Sequence, residues 1–279
     1  MKVLAAGAAG ASAGLVVRAL ADHDVQVRGL VHSAAKEQAA RDNGATETVV
    51  ADLTDHDALG SALRGVDAVF HVIPAFVDDE ARVGVTMVQA AVEAGVERFV
   101  FSGVYHPSLT DLSNHRDKQP TEQALFESGL SFTILQPSMF MSQLGGLLEA
   151  AREHGVISGP YSSESAMAYV DYRDVAEVAA IAFTTDRLLN GTFELSGPGM
   201  FTRSDLAGLL GDLLGRPVRA EATEVALPDT MPSAMRDGLS TMLDNYDRFG
   251  FHGGNSLVLD TILGRPSMSV PDYLTQAAR

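Results

Sequence analysis

The sequence predicts an α/β fold: a doubly wound parallel sheet of Rossmann-like design with a smaller C-terminal, substrate-binding cap. Three observations point to it. Strand and helix signals alternate through the first half of the 279 residues, as in a parallel sheet covered by helices. A short apolar strand at the start runs directly into Gly7-Ala8-Ala9-Gly10-Ala11-Ser12-Ala13-Gly14, and then into a helix carrying Leu15, Val16 and Leu20. Beyond Pro137 the alternation loosens. Glycine permits the sharp strand-to-helix turn, and missing side chains let a pyrophosphate approach the N–H groups that open the helix. A bound dinucleotide is the functional expectation.

The elements follow in order. Val25–Val31 reads as the second strand, placed where a βαβ unit needs it, and Glu47–Asp52 as the third. Ala58–Leu63 reads as a short helix and Ala68–Ile73 as a fourth strand ended by Pro74. An amphipathic helix over 80–95 stops at Gly95, and Arg98–Ser102 is the fifth strand. A helix near Pro120–Ser128 and a strand at Ser131–Leu135 close the regular part. Further on, Met139–His154 reads as helix, Met167–Tyr172 as strand, Asp174–Thr184 as helix and Thr192–Leu195 as strand. A helix is expected over 202–214, and one or two more over 228–249. The implied division is a dinucleotide-binding core over 1–138, completed by about 168–198, with 139–167 and 199–279 forming the cap over the strand ends.

Composition excludes several classes of function. Lys and Arg total 20 against 36 Asp and Glu, a formal net charge of −16 that repels phosphate backbones and anionic lipid. Autonomous nucleic-acid or membrane binding is not expected. The chain has no cysteine, so disulfides, thiolate catalysis and Cys-type zinc sites are excluded. No metal site is expected, because the histidines are scattered. The chain lacks a charged n-region and any apolar run of transmembrane length, so a cytoplasmic location is the expectation.

The chain carries, in order, Gly7-Ala8-Ala9-Gly10, Arg28-Gly29-Leu30-Val31-His32, Ala51-Asp52-Leu53, Lys118 with Glu122, and Leu135-Gln136-Pro137-Ser138-Met139-Phe140-Met141. In this order and spacing it resembles the NmrA-like branch of the atypical short-chain dehydrogenase/reductase family. Val170-Asp171-Tyr172-Arg173-Asp174, Leu195-Ser196-Gly197-Pro198 and Leu263-Gly264-Arg265-Pro266 extend the likeness along nearly the whole chain.

Gly7, Gly10, Ala11 and Ser12 are expected to cradle the pyrophosphate through backbone N–H groups, with Ala13 at the fingerprint's third glycine. The resemblance implies cofactor contacts from Asp52, Leu53, Ile73, Pro74, Ser102 and Pro137. It also places His32 and Lys36 where a 2′-phosphate is gripped. No acidic residue ends the second strand to meet a 2′-hydroxyl, so NADP is favoured over NAD.

Lys118 is the implied contact to the nicotinamide ribose and a participant in proton transfer; the bland alternative is a surface lysine paired with Glu122 at i+4. Ordinary short-chain dehydrogenases carry a tyrosine four residues before this lysine. Here that place is Asn114, which leaves Tyr105, His106 and His115 as nearby sources of a proton.

The expected function is reduction of a small apolar unsaturated substrate, a quinone or an enone, by hydride transfer from the nicotinamide. Met139, Phe140, Met141, Met167 and Tyr169 are the expected pocket lining, although core filling explains them as readily. Two other readings stay open. One is a catalytically silent redox sensor acting through a protein partner; the other is a non-redox cyclase or isomerase. The resemblance leaves a homodimer open.

Overall fold

Val3 to Ala6 of the first strand, β1 (Lys2–Ala6), have no solvent exposure, and β1 sits inside a seven-stranded sheet. The computed structural model describes residues 1–77, 79–223, 227–228 and 230–279. From β1 the chain turns at Gly7 into α1 (Ala11–Asp22), whose Ala13, Val16, Val17 and Leu20 are buried at helical spacing. Then follow β2 (Gln26–Val31), α2 (Glu37–Asp42), β3 (Glu47–Val50), α3 (His56–Leu63) and β4 (Ala68–Val72). The succession continues through α4 (Glu80–Glu93), β5 (Arg98–Ser102), α5 (Ser113–Arg116), α6 (Gln119–Ser128) and β6 (Ser131–Pro137).

The second half runs β7 (Met139–Phe140), α7 (Leu144–His154), β8 (Val156–Gly159), β9 (Met167–Val170), α8 (Tyr172–Thr184) and β10 (Gly191–Leu195). It ends with β11 (Met200–Phe201), α9 (Arg203–Leu214), β12 (Arg219–Ala222), α10 (Ser233–Phe249), α11 (Leu257–Leu263) and α12 (Val270–Ala277).

The large sheet has the order β10-β6-β5-β4-β1-β2-β3. Its pairings from β3 to β6 are parallel, with Val3 opposite Val27 and Ala68, and Phe99 opposite Val69 and Phe132. β10 runs the same way as β6, because Asn190 donates to the Phe132 carbonyl at one end and Ser138 to the Leu195 carbonyl at the other. Strand order reverses between β1 and β4. That is the crevice where open α/β sheets bind ligands at their carboxyl ends.

The fold divides into two compact units, Met1–Gln136 with Val175–Glu194, and Pro137–Asp174 with Leu195–Arg279. In the first, Leu4, Leu59, Val69, Met87, Phe99, Phe101 and Leu125 form one buried cluster. Arg98 stitches the return of the chain to the sheet: its guanidinium donates to the carbonyls of Ala182, Phe183 and Thr185, the orphan acceptors at the end of α8.

In the second unit, β11, β9 and β7 form a small sheet, and β8 pairs with β12. Buried Asp174 accepts from Arg265 at 2.8 Å and from the Met268 amide at 2.7 Å, which ties two of the motifs noted in sequence to each other.

One expected element is corrected. The helix read over Met139–His154 begins only at Leu144, because Met139 and Phe140 pair in parallel with Tyr169 and Val170. The helix expected over 228–249 is Ser233–Phe249; residue 229 lies outside the described residues.

Candidate functional site

The carboxyl ends of the strands collect most of the residues singled out in sequence. Gly7–Ser12 follow β1, His32 and Lys36 follow β2, and Asp52 and Leu53 follow β3. Ile73 and Pro74 follow β4, Ser102 ends β5, and Tyr105 and His106 come just after it.

The glycine turn has a definite geometry. Gly7 takes φ +71°, the left-handed region, and both its amide and that of Ala8 donate to the Leu30 carbonyl. A Cβ on Gly10 would lie 3.1 Å from the Gly7 carbonyl oxygen, tighter than side chains ordinarily accept. Gly10 is the N-cap of α1, with no side-chain cap and no acidic residue in the first turn. An anion is what such a helix start attracts, so the turn fits a dinucleotide pyrophosphate.

The close-packing glycine is Gly14 rather than position 13. A Cβ at Gly14 would run into the amide of Asn43, whereas the Ala13 methyl is simply buried. Asn43 donates from Nδ2 to the Ala8 carbonyl at 2.9 Å and accepts from Arg18. It is a part of the turn that sequence reasoning missed; the one available cue was an Asn-Gly pair ahead of the third strand.

His32 and Lys36 are exposed beyond β2. The exposed Asp52 accepts from the Thr54 amide and hydroxyl, both at 2.8 Å, and these bonds hold its carboxyl below the usual range. Leu53 packs on the core cluster.

On the other side of the strand reversal, the site is made of buried ionisable groups. Lys118 is buried, 4% exposed, and its ammonium donates to the Ile73 carbonyl at 2.6 Å and pairs with the buried Glu80. The surface pairing with Glu122 is therefore overturned. Glu122 instead accepts from Gln136 at 2.8 Å. Burial pulls the Lys118 pKa down and pushes the Glu80 carboxyl up, and their mutual attraction opposes both shifts.

Glu80 enters from the first turn of α4, and α4 lies close to α6 because Gly84 leaves room for Thr121. Sequence reasoning did not find Glu80, since nothing local marks a carboxylate whose partner lies far along the chain. His71, on β4 with no solvent exposure, stacks on Phe101 and meets Phe99 edge-on. Burial drives its pKa down to about 3, helped by the Lys118 charge.

Tyr105 is buried and its phenol pKa raised, first by burial and then by the charge of Glu194. His106 has φ +55° and places Nδ1 3.1 Å from Glu194 Oε1. His115 is wholly buried, with Nδ1 3.0 Å from the His106 carbonyl, and burial lowers its pKa. Asn114 is buried beside it on α5.

In the second unit, Pro137 ends β6 and is buried. Met139 and Phe140 are half-buried, Phe140 meeting Tyr172 at 4.7 Å between ring centroids. Met141, Met167 and Tyr169 are buried. Among the described residues, no group of His, Cys, Asp and Glu could hold a metal ion, and no helix is long and apolar enough to cross a membrane.

The NmrA-like family model matches residues 1–274. The chain is 30% identical to an NAD(P)H azoreductase of Xenophilus azovorans over 97% of this chain and 96% of that one. It superposes on the crystal structure of an NADPH-dependent quinone oxidoreductase of Escherichia coli in complex with NADPH, with a TM-score of 0.83 and 24% identity over the full length of both. Against the Citrobacter triphenylmethane reductase complexed with NADP(H) the TM-score is 0.84, at 21% identity over 99% of this chain and 100% of that one. At these identities the two structural likenesses speak for the fold. With an α/β sheet of this order and a family match along almost its whole length, the chain belongs to the NmrA-like family.

Proposed function

We propose that this protein is an NADP-dependent reductase of small, apolar, unsaturated molecules, with quinones and conjugated enones as the substrate class. The observation that carries the cofactor assignment is the Gly7–Gly10 turn, where an uncapped helix start and a position crowded for a side chain meet at the strand reversal. When bound, the reduced nicotinamide supplies a hydride. The residues of the chain hold and orient the reactants.

Ala11 and Ser12 offer backbone amides to the pyrophosphate. Lys36 and His32, exposed beyond β2, meet the 2′-phosphate. Asp52, Leu53, Ile73, Pro74, Ser102 and Pro137 line the dinucleotide. Lys118, held by Glu80 and the Ile73 carbonyl, brings a fixed positive charge to the nicotinamide end. Met139 and Phe140 touch the substrate, backed by Met141, Met167 and Tyr169. The azoreductase and quinone reductase names of the relatives favour acceptors that take a hydride readily. Such acceptors need less help from a fixed acid than a ketone does, which suits Asn114 in place of a tyrosine.

The test is spectrophotometric oxidation of NADPH and NADH against quinones, azo compounds, enones and aldehydes, preceded by cofactor titration. NADPH turnover with quinones or enones is expected. Tight NADPH binding with no turnover on any of these acceptors would leave the sensor reading in its place.

A further inference from the structure

Three side chains near the end of β5 can exchange a proton, and their surroundings set them apart. Tyr105 is buried and its phenol is shifted upward, away from neutral pH. His115 is fully buried, and burial keeps it in the neutral form. His106 alone of the three keeps substantial solvent contact, with its side chain 31% exposed.

It is also held from several directions. The Nδ1 atom lies 3.1 Å from Oε1 of Glu194, a residue 88 positions away on β10. The Tyr105 ring packs edge-on at 4.1 Å between centroids. The His106 carbonyl is engaged by His115 Nδ1 at 3.0 Å and by the Leu109 amide at 3.1 Å. The backbone at φ +55° is uncommon for a residue with a Cβ, and surrounding contacts must over-determine it. β5, β6 and β10 all run the same way, so His106 and Glu194 share the carboxyl end of the sheet.

Resting on the reductase reading above, we propose that His106 is the proton donor of the reaction and that Glu194 is its positioning residue. The carboxylate accepts from Nδ1–H and so commits the other ring nitrogen, Nε2, to the exchange. In the imidazolium form His106 carries a proton on both nitrogens. As the substrate takes up the hydride, the Nε2–H bond breaks, its electron pair stays on nitrogen, and an O–H bond forms on the substrate. The neutral ring is left with Nδ1–H on Glu194, and solvent returns the proton to Nε2. For a quinone the balance is one hydride and one proton gained, giving the hydroquinone, with the nicotinamide oxidised. A donor on the loop after β5 thus takes the part of the phenol missing at Asn114.

The experiment combines ring-nitrogen NMR of the full-length protein with turnover. In the wild type, neutral His106 is expected as the Nδ1–H tautomer. Glu194→Ala should return it to the Nε2–H form that free histidine prefers, and Glu194→Gln, which can still accept, should retain Nδ1–H. With NADPH and a soluble benzoquinone, Glu194→Ala should lower kcat about tenfold or more with KM nearly unchanged. With a conjugated enone, which needs the proton more, the loss should be larger. His106→Asn should match the enone loss, and the double variant should add nothing.

An Nε2–H tautomer in the wild type, or a Glu194→Ala enzyme with full enone turnover, overturns the proposal while leaving the reductase reading intact. A wild type that binds NADPH but reduces no acceptor removes both, whatever the tautomer.

Discussion

The two sides of the strand reversal are built from different materials. From β1 to β3 the candidate site is backbone: a left-handed Gly7, a Gly10 where a Cβ would crowd the Gly7 carbonyl, and an uncapped helix start, with exposed side chains at the rim. From β4 to β10 it is side chains taken out of water: Lys118 with Glu80, Glu122 with Gln136, and His71 among phenylalanines. Backbone amides bind a phosphate without changing charge, so that half can be open. Buried ionisable groups cost free energy unless paired, so the other half must be closed and exact in its partners. The backbone half tolerates solvent; in the other half Lys118, Glu80 and His71 are kept from it, while His106 and Glu194 stay partly exposed.

The strongest way to break this contrast is to unpair the closed half. Glu80→Ala should destabilise the protein by about 3–5 kcal/mol, because Lys118 is left buried and charged with only the Ile73 carbonyl and no counter-charge. Urea unfolding measures this, and Glu80→Ala with Lys118→Met should recover most of it. An unchanged midpoint for the single variant would show that the pair is not needed in the closed half.

His71 adds a dependence on pH. Its native pKa of about 3 lies below the 6.5 of an exposed histidine, so the unfolded chain takes up a proton that the native state refuses. That contribution is complete above pH 6.5 and is lost as pH falls toward 3. At about 1.4 kcal/mol per pH unit it reaches roughly 5 kcal/mol. His71→Phe should remove this part of the acid sensitivity, read as a flatter stability curve between those pH values.

In the open half, Gly10→Val should weaken NADPH by about 100-fold or more while circular dichroism stays native, since the added carbons meet the Gly7 carbonyl and the approaching phosphate. Retained affinity in a folded variant would refute the backbone cradle. The smallest effect is expected at the rim. Lys36→Ala should cost NADPH about 1–3 kcal/mol and leave NADH nearly unchanged. Equal losses for both cofactors would move the 2′-phosphate elsewhere.

The same contrast explains what could be read from the chain. Strands β1, β4 and β5 were legible because a parallel strand buried on both faces is a local apolar run, as Val3 to Ala6 is, whereas β3 at the sheet edge has no buried residue and was read from its place in the alternation. The glycine turn was legible because its geometry favours glycine, with Gly7 at a left-handed φ and Gly10 close against the Gly7 carbonyl. Lys118 was visible by resemblance, but its partner was not. Glu80 opens a helix whose sequence would suit a solvent-facing carboxylate equally well, and only the packing of Gly84 on Thr121 brings it inward. Met139 and Phe140 misled for the converse reason. Periodicity joined them to the following helix, while a strand distant in sequence claimed their backbone.

The contact between Gly14 and Asn43 has a consequence for how this sequence can drift. Asn43 holds the carbonyl of Ala8 and sits where a side chain on residue 14 would be, so the two positions share one volume. An alanine at 14 makes the Asn43 side chain move or shrink, and either lets go of the Ala8 carbonyl. Neither first step is neutral, so the pair is expected to change together or not at all. Swapping both residues from a relative should cost less than the sum of the separate swaps, a non-additivity that a double-mutant cycle on cofactor affinity would register.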